Sequence, residues 1–316
     1  MKKIFLFAAA AMVSLSSCVQ TEDVYTGGLN EIGFKSAAVR ADGANVVSGT
    51  EFTGAMTVAG AWDQAKGVYK QYFAPTKFVK DGTNDEGKNV WSGEPARYWP
   101  FGGQMQFVAY YPNAFGTFTE TIDETNGITG YVVTDIENED AQQDVLYSDR
   151  VYCADVPSST QALMFYHALS QIQVNFKTNN DDANVILKSV TLHDVKFDGT
   201  LNVNCINDKS VASWSATSEA TDHVFDTIPS DLTTALNTSA TSVLILPADA
   251  QTKMTIVYTH GEENKELTKV VDLNTNGAKW EMGKKYIYNF NINMNEIDFT
   301  VVVKDWVSVD SGDITI

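Results

Sequence analysis

From residue 31 onward the chain alternates apolar and polar residues with a period of two. No convincing amphipathic helix longer than about three turns, the usual globular length, interrupts it. Tyr286, Tyr288, Phe290, Ile292 and Met294 point one way, and Lys285, Asn289, Asn291 and Asn293 the other. A helix would scatter these residues around its circumference, whereas a half-buried strand keeps them on two faces. Ile172, Val174 and Phe176 alternate in the same way with Gln171, Gln173, Asn175 and Lys177. So do Ile297, Phe299, Val301 and Val303 against Asp298, Thr300 and Lys304, while Met254, Ile256 and Tyr258 make a fourth set. Val190 with Leu192, and Leu201 with Val203, mark shorter strands. Ser242–Leu246 is an apolar run ended by Pro247, which suits a strand covered on both faces. Turn chemistry at Asp81-Gly82, Gly102-Gly103, Asn126-Gly127, Asp198-Gly199 and Asn276-Gly277 separates the runs. Many short strands between regular turns predict an all-β fold of antiparallel sandwiches.

The chain has 316 residues, and single cores stop growing at roughly 250–300 residues, so two domains are expected. The turn-rich Pro157-Ser158-Ser159-Thr160 is the expected seam, dividing the body into 31–160 and 161–316. A net charge of -18 excludes a general affinity for nucleic acid, which needs Lys and Arg to displace counterions from phosphates. Residues 1–17 read as a secretory leader: Lys2 and Lys3 supply the positive start and Ile4 to Leu15 the apolar stretch. That stretch is shorter than the ~20 apolar residues that span a bilayer. It ends in Leu15-Ser16-Ser17-Cys18, which resembles a bacterial lipoprotein box with the Cys18 thiol as the lipid acceptor. Several acyl chains at ~0.8 kcal/mol per buried methylene anchor a protein durably. Losing the leader removes two lysines and no acid, taking the charge to -20. Residues 18–30 read as a lipidated, acidic tether, of which Val19–Asn30 reaches roughly 40 Å when extended. Its Glu22-Asp23 pair resembles a signal that carries lipoproteins across the outer membrane to the cell surface.

Motifs of catalysis are missing. The nucleophile-elbow, phosphate-loop and dinucleotide patterns are absent, and His167, His193, His223 and His260 show no paired metal spacing. A packed strand histidine is the expected role of His167. Asp81–Gly87 fails the spacing of a helix-loop-helix calcium site, and Asp135–Asp140 and Asp181-Asp182 read as solvated loops. No enzyme activity, cofactor or metal is therefore expected. Cys153 and Cys205, fifty-two residues apart, either pair in an oxidising compartment or stay as buried thiols. An aromatic cluster around Trp91, Tyr98, Trp99, Phe101, Phe107, Tyr110 and Tyr111 would stack on sugar rings if exposed. Alternation of Phe107, Ala109 and Tyr111 favours core instead.

Several segments together resemble the fimbrillin family, the lipoprotein pilins of type V pili. They are Arg97-Tyr98-Trp99-Pro100, Phe107-Val108-Ala109-Tyr110-Tyr111-Pro112 and Asp144-Val145-Leu146-Tyr147, followed by the 163–172 stretch Leu-Met-Phe-Tyr-His-Ala-Leu-Ser-Gln-Ile. Leu244-Ile245-Leu246-Pro247-Ala248, Trp280-Glu281-Met282-Gly283-Lys284-Lys285-Tyr286 and Val303-Lys304-Asp305-Trp306 complete the series. The resemblance implies two transthyretin-like β-sandwiches in tandem, no catalysis, a place on the outer membrane surface and then in a pilus, and other pilin subunits as partners. It also implies an assembly route. The precursor arrives lipid-anchored with its first strand in place, an arginine-specific protease cuts behind that strand, and a C-terminal strand from another subunit fills the groove left behind.

On that resemblance, Glu31–Arg40 with Ile32 and Phe34 on one face is the removable first strand, and cleavage falls between Arg40 and Ala41. Arg97 lies in an aromatic segment expected to be folded, and a cut at Arg150 would split the first domain, which leaves Arg40 of the three arginines. An ordinary surface arginine is the alternative reading of Arg40. The tail offers Phe299, Val301, Val303, Trp306, Ile314 and Ile316 as donor residues, or else completes its own domain's sheet. Asp226-Thr227-Ile228 resembles an O-glycosylation site at Thr227. The expected function is a pilus subunit polymerised by strand exchange and supporting adhesion; the alternative is a monomeric surface lipoprotein that binds glycan.

Overall fold

Strands with one apolar face must cover that face, and this chain does so in three cores, one inside a sheet closed on itself and two between sheets. The computed structural model describes residues 30–40, 54–64, 67–83, 89–153, 160–206, 209–249, 253–261, 265–273, 279–293 and 296–306. The leader, Cys18, the tether up to residue 29, Ala41, the Asn276-Gly277 turn, Ile314 and Ile316 lie outside the described residues.

The chain begins with β1 (Gly33–Arg40), β2 (Met56–Asp63), β3 (Tyr69–Thr83), β4 (Asn89–Glu94) and β5 (Gln104–Tyr111). It continues with β6 (Thr117–Asp123), β7 (Gly127–Ile136), β8 (Leu146–Ser148), β9 (Val151–Cys153) and β10 (Gln161–His167). Then come β11 (Ser170–Thr178), β12 (Ile186–Val195), β13 (Gly199–Ile206), β14 (Lys209–Ala216), β15 (Thr221–Val224) and β16 (Asn237–Ile245). The last are β17 (Ala248–Asp249), β18 (Lys253–His260), β19 (Lys265–Asp272), β20 (Lys279–Trp280), β21 (Lys284–Ile292) and β22 (Ile297–Asp305). Among the described residues the one helical element is a 3₁₀ turn at Asp181–Ala183, so the protein is all-β.

The largest sheet runs β2-β3-β4-β1-β10-β8-β5-β9, and β2 also pairs with β5. Its pairings therefore close a ring. Inside the ring lies one core, built from residues such as Ile32, Phe34, Phe78, Trp91, Phe107 and Phe165. A second core joins the ring's other face to the sheet β14-β13-β7-β6. β5 serves both: Met105, Phe107 and Ala109 enter the first core and Val108 and Tyr110 the second. This explains why β5 is apolar at nearly every position rather than at alternate ones. A third core joins β16-β11-β21-β22 to β15-β12-β18-β19.

Hydrogen bonding crosses the seam expected at Thr160. β10 pairs with β1 and β8, and β13 pairs antiparallel with β7 from Gly199↔Ile136 to Asn204↔Gly130. The chain passes from the ring to the next sheet at Ala168-Leu169, between β10 and β11. The Asn126-Gly127 turn is formed as expected and is clamped by buried Gln106. Its side-chain Nε2 donates to Asn126 O (3.1 Å), and its Oε1 accepts from Ile128 N (2.7 Å). Gly127 has φ +74°, and a Cβ there would sit 2.1 Å from Gln106 Oε1, so a larger residue is strained and must displace the Gln106 clamp. The turn expected at Asp81-Gly82 falls instead within the end of β3.

Candidate functional site

β1 is held in the middle of the ring, not at an edge. It runs parallel to β10, from Phe34↔Gln161 to Arg40↔Tyr166, and antiparallel to β4, from Gly33↔Ser92 to Lys35↔Val90. Ahead of β1 the backbone is clamped by the 97–99 segment. Ile32 N donates to Arg97 O (2.7 Å), Trp99 N donates to Asn30 O (3.0 Å), and Glu31 bridges to Tyr98. Main-chain bonds thus grip the segment 30–40 along its length.

Its side chains explain why. Ile32 and Phe34 are both 0% exposed. The Phe34 ring meets Phe78 at 5.2 Å and Phe107 at 5.1 Å, both edge to face. Phe73 touches both of these walls, at 6.3 and 6.2 Å, and Trp99 meets Phe107 at 5.5 Å. Arg97 lies 5.3 Å over the Phe73 ring, and its Nη2 donates to Thr76 Oγ1. Lifting β1 out would leave β4 and β10 with open hydrogen-bonding edges and uncover an apolar slot between them. That slot is a ready template for another strand.

The sequence model of the fimbrillin-like family matches residues 40–306. The chain belongs to the fimbrillin-like family. Solved structures share its fold. A candidate cell adhesion protein from Bacteroides uniformis superposes with a TM-score of 0.56 at 18% identity, covering 88% of this chain and 98% of that one. Another from Bacteroides ovatus gives 0.55 at 14% identity, with 90% and 100% covered. A fimbrial protein from Bacteroides vulgatus gives 0.52 at 14% identity, with 88% and 100% covered. At such identities the likeness is one of fold alone. No curated protein matches the chain significantly.

In this fimbrillin-like protein Arg40 closes β1, opposite Tyr166 of β10. The other two arginines are engaged in the folded body. Arg97 is half-buried over Phe73, and Arg150 Nη1 donates to Ile128 O (2.8 Å) and Asn126 O (3.3 Å). The start of the tail completes its own sheet: β22 pairs with β21, placing Phe299 opposite Phe290, Val301 opposite Tyr288 and Val303 opposite Tyr286. Phe299 adjoins the third core, whereas Val301 and Val303 are 39% and 51% exposed because β22 is the sheet's edge. Trp306 is buried and stacks on His167 at 4.1 Å and 7°, with its backbone N–H donating to Gly283 O. Residues 297–306 thus take the own-sheet alternative, and 307–316, with Ile314 and Ile316, lie outside the described residues.

His167 is the packed histidine expected, its Nδ1 lying 2.9 Å from Asp144 Oδ2. Among the described residues no group of three His, Cys, Asp or Glu could hold a metal. Cys153 and Cys205 are free, buried and in different cores, and burial pushes the Cys153 thiol up to about 11. Of the aromatic cluster, Trp91, Trp99, Phe107 and Tyr110 are core, Tyr98 and Tyr111 are half-buried, and Phe101 alone is exposed. Thr227 sits exposed between β15 and β16. The backbone clamp by Arg97–Trp99 and the meeting of Phe78 with Phe107 around Phe34 are what periodicity did not reveal. Their signal was the Arg97-Tyr98-Trp99-Pro100 segment, which reads as aromatic core until its backbone partner is known.

Proposed function

We propose that this fimbrillin-like chain is a structural subunit of a surface pilus, exported as a lipoprotein through Cys18 and polymerised by strand replacement. In this reading the lipid anchor holds the precursor at the outer membrane. An arginine-specific protease cuts between Arg40 and Ala41, and a strand from another pilin subunit then displaces the still-seated β1 and takes its place. The observation that carries the reading is the seat of β1. It is a central strand whose Phe34 is fully buried, with Ile32 just ahead of it fully buried as well, so its removal would open an apolar groove between β4 and β10. Residues 307–316 are the stretch left for a donor role after β22 has claimed Phe299, Val301 and Val303. The body is read as two transthyretin-like sandwiches, 31–160 and 161–316, that share hydrogen bonds across β10 and β13. Thr227 is read as an accessible O-glycosylation site, and the chain as having no catalytic role.

The test is to treat surface-expressed protein with an arginine-specific protease. Release of a chain starting at Ala41 and a ladder of oligomers are expected, with Arg40→Ala remaining lipid-bound and monomeric. A released chain that forms no oligomers would sink the reading.

A further inference from the structure

We propose that the β1 groove is selective for the residue pattern of its occupant: an aliphatic residue, a small one, then an aromatic at the Phe34 position. The proposal rests on the strand-replacement reading above and names the partner it requires, a strand of another chain carrying that pattern. The pocket around Phe34 is made of rings that brace one another. Phe78 and Phe107 face Phe34 from two sides, and Phe73 touches both. Walls held in this way collapse poorly around a smaller side chain, so a void remains where the ring is missing. Between the two buried side chains, a Cβ added at Gly33 would lie 3.0 Å from the Thr160 methyl, so a large residue there forces Thr160 to move.

Residues 307–316 of this chain, Val-Ser-Val-Asp-Ser-Gly-Asp-Ile-Thr-Ile, contain no aromatic. Their aliphatic pairs two apart are Val307 with Val309 and Ile314 with Ile316, and either pair puts an aliphatic at the ring pocket. The second pair also sets Thr315 against Thr160. This stretch is thus a poor copy of β1, and the groove favours a donor of different sequence over a second copy of this one.

To test this, a protease site inserted in 41–53 is cut in the folded mature chain, leaving β1 seated but free to exchange. Labelled peptides are then offered: residues 30–40, the same peptide with Phe34→Val, and residues 307–316. Two lost ring contacts predict that the Phe34→Val peptide binds roughly tenfold or more weakly than its parent, with 307–316 weaker still than the parent. Equal binding by the parent and either other peptide overturns the selectivity while leaving strand replacement standing. Failure of the parent peptide itself to exchange overturns strand replacement and the proposal with it. A chain carrying Phe78→Leu, which loosens one wall, should narrow the gap between parent and Phe34→Val; an unchanged gap would place the discrimination outside this pocket and refute the assignment.

Discussion

Phe34→Ala is the substitution that most directly weighs β1. The ring is 0% exposed and makes two edge-to-face contacts, at 5.1 and 5.2 Å. Truncating a buried phenylalanine to alanine costs about 3–5 kcal/mol, of which ring pairs contribute ~0.5–1.5 kcal/mol each. In the uncut mature chain this should appear as a lower unfolding midpoint in urea, followed by tryptophan emission, with the slope unchanged. After a cut behind β1, the same loss acts on a strand no longer tethered. A factor of roughly 150 or more in its retention follows from 3 kcal/mol. Gel filtration should then find the wild-type strand co-eluting with the body and the Phe34→Ala strand lost. Val302→Ala on the exposed edge of β22 is the control, and it should move stability by less than about 0.5 kcal/mol. A Phe34→Ala chain within ~1 kcal/mol of wild type would refute the view that β1 belongs to the core.

Three further outcomes follow from buried polar groups. Tyr131, fully buried, accepts from Ser148 N (3.1 Å) and donates to Ala109 O (3.1 Å), tying β7 to β5 and β8; Tyr131→Phe should cost about 1–3 kcal/mol in urea unfolding, and a neutral result would mean the amide has other partners. Burial holds His223 below its ordinary 6.5, against the pull of Asp226 and Glu139. The unfolded chain therefore takes up its proton first, so stability should fall as pH drops below 6.5, and His223→Gln should flatten that slope. An unaltered slope in His223→Gln would assign the effect to other groups. Cys153, raised to about 11, should resist alkylation at pH 8 in the folded protein and react only on unfolding; rapid labelling of the native chain would contradict its placement in the ring core.

The strands legible in the sequence were those with one core face and one open face. β18 buries Met254, Ile256 and Tyr258, and β21 buries Tyr286, Tyr288, Phe290 and Ile292, as their alternation required. The same alternation in β22 put Val301 and Val303 inward without revealing that they stay 39% and 51% exposed among the described residues, because periodicity gives a side and not a neighbour. In β11 the polar partners Gln173 and Asn175 are themselves buried, linked to each other and through Asn175 Nδ2 to Asn289 Oδ1 (2.7 Å). The seat of β1 was the least legible. Its pairing with β10 joins Phe34 to Gln161 across more than a hundred residues, and no local pattern encodes a parallel partner so distant. The pocket for Phe34 likewise draws its walls from β3 and β5, separated in the chain and adjacent only after the ring closes.

The long, two-sided grip on β1 has a mechanical corollary. A strand seated between β4 and β10 and pulled along its own axis loads its hydrogen bonds side by side, so they must fail together. Peeled from one end, the same bonds would break in succession, each under the whole load. Any filament built on such a seat would be tough under axial tension and comparatively weak at a bend.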